Sequence, residues 1–413
     1  MDNSTAQYGL STLVNHYAER DNPHGAMVAP IFQTSTFGFK DVDSGAEIFE
    51  GRSPGYIYGR LSNPNAQQFA SKVALLEVID IARKQPQADP GSLAAGKTFA
   101  SGMSAITTTI LARVKPGETI IAQESLYSST FNFLEDIAAR SGIKLVWVKG
   151  TSAASWETAF REHPDAVLAY AETPANPTMD VVPLENVADL AHQRRCWLMV
   201  DNTFATPYCQ RPLTLGADVV VHSATKYLSG HGVVIAGVVV SPHIDFVQGD
   251  LQYFRKTLGG SLSPFDAWLA NIGLKTFELR MQRHCENALQ VARYLQDHPK
   301  VAKVHHPGLE THPGHAIARR QMHAYSGMLS FELKGGLDAG KKLMNRLGLV
   351  RLAVSLGNVE SLIQHPASMT HSNVPREERL KTGISDGLVR FSVGIENVDD
   401  ILADLGQALD QVG

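Results

Sequence analysis

Short apolar or β-branched runs that recur between helical stretches are the feature that most constrains the fold of this chain. They lie at residues 119–122, 144–148, 166–171, 197–200, 219–221 and 234–240. Continuous apolar strands that alternate with helices are typical of a parallel sheet covered by helices on both faces. The sequence therefore predicts an α/β protein with a mainly parallel, doubly wound sheet.

The chain before and after these runs has a different pattern. The N-terminal part shows little periodicity and is rich in Gly, Pro, Ser and Tyr at 54–64, which predicts an irregular arm, followed by a helix near 67–81 and a surface loop at 83–97. After a long helical stretch at 263–296, a last amphipathic helix and four predicted strands indicate an α+β region, the strands being 301–304, 328–333, 350–355 and 388–393. We therefore predict three parts: an arm at 1–62, a large α/β domain at 63–256 and a C-terminal α+β domain at 257–413.

Composition excludes several classes of protein. The 413 residues include 37 Lys and Arg against 41 Asp and Glu, and this formal net charge of −4 argues against a nucleic-acid partner. The three cysteines form no C-x-x-C pair, so we expect no disulfide framework and no metal site. The N-terminus lacks the pattern of a secretory signal, and the apolar run at 233–240 is too short to span a membrane. We expect a cytoplasmic protein.

Two charged residues follow neighbouring buried strands. Lys226 lies in the segment SATKY at 223–227, just past one predicted strand, and Asp201 ends the strand before it. Taken alone, Lys226 is first interpreted as a solvated loop lysine and Asp201 as a helix N-cap. Because about one βα unit separates them, however, adjacent strand ends would bring both side chains into one crevice. An enzyme that depends on pyridoxal 5′-phosphate (PLP) needs such a pair: an Asp that faces the pyridinium nitrogen and a Lys that forms a Schiff base with the cofactor aldehyde.

Phosphate-binding features accompany this pair. Ser223 and Thr225 flank the lysine with hydroxyl groups, and Ser101, Gly102 and Met103 open a predicted helix whose free N–H groups would face an anion. The sequence contains neither G-x-x-x-x-G-K nor G-x-G-x-x-G. Nucleotide hydrolysis and NAD chemistry are therefore not the leading interpretations.

Six ordered segments together resemble the cysteine/methionine-metabolism family of PLP enzymes. They are YGRLSNP at 58–64, ETPANP at 172–177, SATK at 223–226 with GH at 230–231, GLKT at 273–276, LRM at 279–281 and RFSVG at 390–394. The family includes cystathionine γ-synthase, the cystathionine lyases, methionine γ-lyase and the O-acylhomoserine sulfhydrylases. The resemblance covers nearly the whole chain and implies PLP as cofactor and the aspartate-aminotransferase-like fold, called fold type I.

The resemblance also implies a role for individual residues. Lys226 would hold PLP covalently and then move protons, and Asp201 would keep the ring nitrogen protonated. Tyr127 would stack on the ring and act as acid or base near the leaving group. Arg390, helped by Asn176 and Ser355, would bind the α-carboxylate of an amino-acid substrate. The cofactor phosphate would meet a larger set: Ser101, Gly102, Met103, Ser223 and Thr225, with Tyr58 and Arg60 from a neighbouring subunit. A shared site implies a homo-oligomer, and the family resemblance suggests a homotetramer built as a dimer of dimers.

Three uncharged residues bear on the reaction. Ile57, Asn132 and Val354 stand where relatives that handle cystathionine have charged groups for its far amino-acid head. An uncharged pocket offers no ion pair to offset the desolvation of a second zwitterionic amino-acid head. We therefore predict γ-elimination on a compact γ-substituted amino acid such as methionine, giving a thiol, ammonia and a 2-oxo acid. The run at 364–371 also resembles methionine γ-lyase, whereas Ser129 stands where those enzymes have a Cys.

Three alternatives remain open from the sequence. The first is γ-replacement on an O-acylhomoserine, as in a sulfhydrylase or cystathionine γ-synthase. The second is γ-elimination of an oxygen-linked group, as from canavanine. The third is a non-catalytic protein that keeps the PLP fold, which the intact set of Lys226, Asp201, Tyr127 and Arg390 argues against.

Overall fold

Two sheets, each lined by helices, organise the molecule. The computed structural model describes residues 7–19, 22–370 and 372–412, except for the side chains at 378 and 381. Residues 1–6 and 20–21 of the predicted arm, residue 371 of the run at 364–371, and the C-terminal residue 413 lie outside this set. None of the helices within the described ranges is long and apolar enough to cross a membrane.

The larger sheet has seven strands within the described residues, in the order β1-β7-β6-β5-β4-β2-β3. The strands are β1 (Ala95–Phe99), β2 (Thr119–Gln123), β3 (Lys144–Val148), β4 (Leu168–Glu172), β5 (Trp197–Asp201), β6 (Val219–Ser223) and β7 (Gly237–Ser241). Strands β2 to β6 pair in parallel, so the predicted mainly parallel sheet is confirmed. Alternate residues of these strands point to two separate cores: Val200 and Val220 lie in one, and Met199 and Val221 lie in the other.

The prediction was wrong for two strands. The run at 234–240 was expected in the parallel set, but β7 runs antiparallel to both β6 and β1. Residues 224–236 form turns and contain no helix, and parallel neighbours generally need a crossover, usually a helix. The predicted surface loop at 83–97 contains a short helix and ends in β1. This edge strand begins with half-buried residues, so it shows no apolar run.

Helices cover both faces of the larger sheet and extend into the arm. They are α1 (Leu10–His16), α2 (Val42–Phe49), α3 (Pro64–Lys84), α4 (Pro90–Leu93), α5 (Gly102–Arg113), α6 (Ser128–Asn132), α7 (Ala153–Glu162), α8 (Leu184–His192), α9 (Thr206–Cys209), α10 (Ile244–Gln248) and α11 (Asp250–Leu258). A π-helical turn, Phe133–Ala138, continues α6. The arm is thus more regular than predicted, since Asp41 and Ser44 cap α2 reciprocally.

The smaller sheet has the order β10-β11-β12-β9-β8. This part of the chain comprises α12 (Pro264–Leu274), α13 (Phe277–Asp297), β8 (Val301–His305), α14 (His315–Gln321), β9 (Met328–Leu333), α15 (Gly336–Arg346), β10 (Arg351–Leu352), β11 (Leu362–Gln364), α16 (Arg376–Lys381), β12 (Leu388–Ser392) and α17 (Val398–Asp410). The predicted strand at 350–355 keeps only two residues, and β11 was missed because it is short. Ile401, Leu405 and Leu409 of α17 are buried in its core, as the helical spacing predicts.

Candidate active site

The predicted lysine and aspartate lie at the same edge of the larger sheet. Asp201 is the last residue of β5, and Lys226 follows β6 by three residues. Thr203 ties the two strand ends together, because its N–H donates to Asp201 Oδ1 at 3.0 Å and its Oγ1 accepts the N–H of Ser223 at 2.8 Å. The expected crevice at neighbouring strand ends is therefore present.

Burial shifts the pKa of both groups in directions that suit their predicted roles. Burial, aided by the nearby Arg390 charge, lowers the pKa of Lys226 to about 8, so its amine is partly neutral near physiological pH. Burial raises the pKa of Asp201, against the hydrogen bonds from Thr203. A cation beside Asp201 would restore its ionised form, which is what a protonated pyridine ring offers.

Ser355 connects the lysine to the predicted carboxylate-binding group. Lys226 Nζ donates to Ser355 Oγ at 2.8 Å, and Arg390 Nη2 donates to the Ser355 carbonyl oxygen at 2.7 Å. Arg390 Nη1 donates to Asn176 Oδ1 at 3.1 Å. Burial lowers the pKa of Arg390 to about 10, so the guanidinium stays charged at neutral pH. The three residues predicted to bind a carboxylate are thus linked in one line of hydrogen bonds, from Asn176 through Arg390 and Ser355 to Lys226.

The start of α5, where the sequence predicts a phosphate site, lies beside β6. Ser101 caps the helix by accepting the N–H of Ser104 at 3.0 Å, and the first helical N–H groups have no carbonyl partner within the helix. A Cβ at Gly102 would lie 2.7 Å from Ser223 Cβ, so only glycine allows this close approach. The Met103 thioether accepts a hydrogen bond from Thr130 at 3.7 Å. The Thr225 hydroxyl donates to the carbonyl of Ala236 at 3.2 Å and would have to rotate to meet a phosphate.

Tyr127 precedes α6 with its side chain 43% exposed, so its ring is available for stacking. Its main-chain N–H donates to Glu172 Oε2 at 2.9 Å, and the N–H of Asn176 donates to Glu172 Oε1 at 2.8 Å. Glu172 ends β4 and is paired in register with Asp201 on β5. Two carboxylates therefore lie side by side at the floor of the crevice.

Comparison with known proteins identifies the family of the chain. Residues 11–410 match the family described as Cys/Met metabolism PLP-dependent enzyme. The chain belongs to this family. It is 46% identical over 409 residues to an L-methionine γ-lyase of Fusobacterium nucleatum subsp. polymorphum, covering 99% of this chain and 100% of that one. It is 44% identical to an L-methionine γ-lyase of Pseudomonas putida, covering 99% of each.

A solved structure confirms the predicted fold. Cystathionine γ-synthase from Xanthomonas oryzae pv. oryzae superposes with a TM-score of 0.89 at 36% identity, over 98% of each chain. The chain is therefore a fold type I member of the Cys/Met metabolism family, with a mixed large sheet and a smaller C-terminal sheet. The prediction of PLP as cofactor is confirmed at the level of the family.

The residues of the crevice fit PLP as this family uses it. Lys226 has the lowered pKa of an amine that bonds an aldehyde, and within the described residues no salt bridge joins Asp201 to a cation. The N-terminus of α5 offers free N–H groups to a phosphate. These residues would hold the reactive, ring-nitrogen and phosphate ends of the cofactor, respectively.

Five predicted residues lie apart from this cluster. Tyr58 and Arg60 lie in the arm, where Arg60 Nη1 donates to the Lys256 carbonyl at 2.6 Å and its guanidinium lies 5.5 Å from the Tyr58 ring centre. Ile57 is half-buried, Asn132 is exposed at the end of α6, and Val354 is 57% exposed. Within the described residues no hydrogen bond joins these side chains to Lys226 or Asp201. Their roles, like those of the clustered residues, stay predictions.

Sequence reasoning gave no role to several residues that organise the site. Thr203 joins the ends of β5 and β6, and nothing in its short loop marks it out. Glu77 of α3 accepts hydrogen bonds from His222 Nε2 at 2.7 Å and from Asn202 Nδ2 at 3.2 Å, all of them buried. These contacts join residues far apart in sequence, and spacing along the chain therefore does not reveal them.

Proposed function

We propose that this enzyme catalyses γ-elimination of L-methionine, or of an amino acid of similar size, to a thiol, ammonia and a 2-oxo acid. The observation that carries the proposal is the hydrogen-bonded line from Lys226 through Ser355 and Arg390 to Asn176. It sets a partly neutral amine next to a carboxylate-binding guanidinium, as proton removal from an α-amino acid requires. Relatives at 44–46% identity over their full length are L-methionine γ-lyases, which supports the choice of substrate.

The chain's own residues supply binding and proton transfer. Arg390 and Asn176 bind the substrate α-carboxylate and thereby orient Cα toward Lys226 Nζ, which takes the Cα proton and carries protons onward to neighbouring carbons. PLP, when bound, supplies the electron sink that makes these protons acidic. The Tyr127 hydroxyl donates a proton to the departing sulfur. With methionine and water as reactants, the products are methanethiol, 2-oxobutyrate and ammonia.

The residues predicted for the distal end of the pocket support a substrate with one amino-acid head. Ile57, Asn132 and Val354 carry no charge, so a second zwitterion would lose its hydration without gaining an ion pair. A methyl thioether has no such charge to desolvate. This is why we prefer methionine over cystathionine as the substrate.

The arm supports a site shared between subunits. It exposes large apolar side chains, with Met27 and Val42 each 87% exposed and Phe49 67% exposed, which is unusual for a surface that meets only water. We infer a cytoplasmic homotetramer, a dimer of dimers, in which Tyr58 and Arg60 reach the cofactor phosphate of a partner subunit. The substrate is a small molecule, and neither nucleic acid nor membrane takes part.

A product screen tests the proposal. Purified holoenzyme is incubated with methionine, with cystathionine, and with O-acetylhomoserine plus sulfide, and 2-oxobutyrate, methanethiol and homocysteine are measured. We expect 2-oxobutyrate and methanethiol from methionine, with the highest kcat/KM of the three. Homocysteine from O-acetylhomoserine without 2-oxobutyrate from methionine would instead identify a γ-replacement enzyme. Lys226→Ala serves as the control for product formed without the active site.

A further inference from the structure

Glu172 is a buried carboxylate that touches two different loops of the site. It is 5% exposed, and each of its oxygens accepts one main-chain N–H. Oε2 accepts from Tyr127 at 2.9 Å and Oε1 accepts from Asn176 at 2.8 Å. Tyr127 begins the segment that carries the predicted stacking ring, and Asn176 belongs to the predicted carboxylate-binding group. The same side chain therefore holds the backbone of both.

We propose that Glu172 is the positioning residue that sets the cofactor-stacking loop and the substrate-carboxylate loop relative to each other. The proposal rests on the proposed function for the roles of Tyr127 and Asn176. Glu172 acts through these two residues. Its loss is therefore felt in two separate binding steps, retention of PLP and recognition of the α-carboxylate.

The chemistry of the side chain matches this task. A carboxyl group keeps acceptor lone pairs on both oxygens, so it can hold two N–H groups that arrive from different directions. A glutamine has one acceptor oxygen, and its amide nitrogen would face the second N–H. An apolar residue would leave both partly buried N–H groups without this acceptor, which is costly.

Burying the Glu172 carboxyl group beside a second carboxylate is energetically unfavourable for a residue with only a structural role. Its register partner is Asp201, so two carboxylates lie on neighbouring strands in a buried crevice. Burial and the Asp201 charge raise the pKa of Glu172, and the two N–H donors and Arg390 oppose that shift. The main-chain N–H of Glu172 is held independently, by Gln123 Oε1 at 3.2 Å, so the strand end does not depend on the carboxylate.

The test uses two binding constants of the full-length enzyme. The first is the dissociation constant of PLP, from equilibrium dialysis. The second is the ratio of the dissociation constants of L-norleucine and L-norleucine amide, from absorption titration of the holoenzyme, which isolates recognition of the carboxylate. For Glu172→Leu we expect both to worsen, each by about 10- to 150-fold. For Glu172→Gln we expect at least one of the two constants to worsen by about 10-fold. If Glu172→Leu does not fold, the glutamine variant alone tests the proposal.

Thr173→Val is the matched control. Thr173 is the next residue and is also buried. Its Oγ1 accepts one main-chain N–H, that of Val182 at 3.0 Å, so this side-chain bond involves neither Tyr127 nor Asn176. Its two constants should stay within about threefold of wild type. The same losses in Thr173→Val as in the Glu172 variants would reduce Glu172 to general support of the loop and overturn the proposal. So would Glu172 variants whose two constants stay within threefold of wild type.

A double-mutant cycle with Asn176→Ala separates positioning from general stability. If Glu172 acts on the carboxylate through Asn176, its substitution adds little to the norleucine ratio once Asn176 is gone. Full additivity would contradict this route. Neither readout requires turnover, so a wild type that forms no 2-oxobutyrate from methionine would defeat the proposed function while these titrations still decide the role of Glu172.

Discussion

Ser355 offers a way to separate backbone strain from chemistry at one position. Its φ is +83°, a left-handed conformation that costs a residue with a Cβ roughly 1–2 kcal/mol, and glycine adopts it freely. Its hydroxyl accepts from Lys226 Nζ at 2.8 Å, and its carbonyl accepts from Arg390. Ser355→Ala removes the hydroxyl and keeps the strain, whereas Ser355→Gly removes both. The carbonyl contact to Arg390 survives in each variant.

The two variants should lose similar activity and differ in stability. A hydrogen bond to a charged group contributes about 1.5–3 kcal/mol, so kcat/KM should fall by about 10- to 150-fold in both. After allowance for the greater entropy of unfolded glycine, Ser355→Gly should be more stable than Ser355→Ala by roughly 1 kcal/mol. Urea unfolding at one fixed protein concentration measures the difference.

Each half of this reasoning has its own refutation. If Ser355→Ala retains wild-type kcat/KM, the bond to Lys226 does not matter for the reaction. If the alanine and glycine variants unfold at the same urea concentration, the left-handed backbone stores no strain at this position. If only the glycine variant loses activity, loss of backbone rigidity, and not loss of the hydroxyl, is the cause.

Four further outcomes are expected. Asp201→Ala should lose most turnover while remaining folded, since the ring nitrogen loses its buried charged partner, and near-normal activity would contradict that role. Arg60→Ala mixed with Lys226→Ala should regain part of the activity through hybrid sites, whereas no recovery after subunit exchange would argue against a shared site. Val354→Glu should raise kcat/KM for cystathionine relative to methionine by up to about 10- to 150-fold, and the cost of desolvating the new carboxylate reduces this gain. An unchanged ratio of the two kcat/KM values would show that this position does not contact the distal amino-acid group of cystathionine. Finally, the free energy of unfolding should fall as pH drops from about 6.5 toward 4. Burial lowers the pKa of three histidines, His284, His306 and His312, to about 4, so the unfolded chain binds protons at these residues more readily than the folded chain does. Each histidine should contribute a slope of at most about 1.4 kcal/mol per pH unit, and replacing one of them by Gln should make the measured slope shallower.

The parts of the fold that follow local rules were predictable. The strands ending at Asp201 and Ser223 are apolar because both faces of the sheet are covered by helices. Their carboxyl ends meet at one edge because the two strands are parallel neighbours. This is why the sequence alone brought Asp201 and Lys226 into one crevice. The antiparallel direction of β7 was also predictable locally, because no helix-length segment separates β6 from β7. The apolar run of β7 resembled those of the parallel strands, and this led to the wrong prediction.

Contacts between distant segments were not predictable from spacing. The motif at 172–177 brought Asn176 to attention through the family, yet the bonds from Tyr127 and Asn176 to one carboxylate depend on how two loops fold toward each other. Helix α1 has only seven residues, too few for its buried Leu10, Leu13 and Val14 to produce a visible period. In both cases tertiary packing decides, and it leaves little trace in the local pattern.

The site lies where the two sheets meet, and this has a consequence for how it is held together. Lys226 and Asn176 belong to loops of the larger sheet, whereas Arg390 lies on β12 of the smaller one and Ser355 lies in the segment before β11. A Cβ at Gly357 would lie 2.6 Å from the Tyr227 nitrogen, so the backbone two residues after Ser355 is pressed directly against the backbone that follows Lys226. The distance from Lys226 to Arg390 is therefore fixed by main-chain contact between the two halves of the chain. In the proposed mechanism, a small shift of one sheet against the other would separate the base from the guanidinium that orients the substrate.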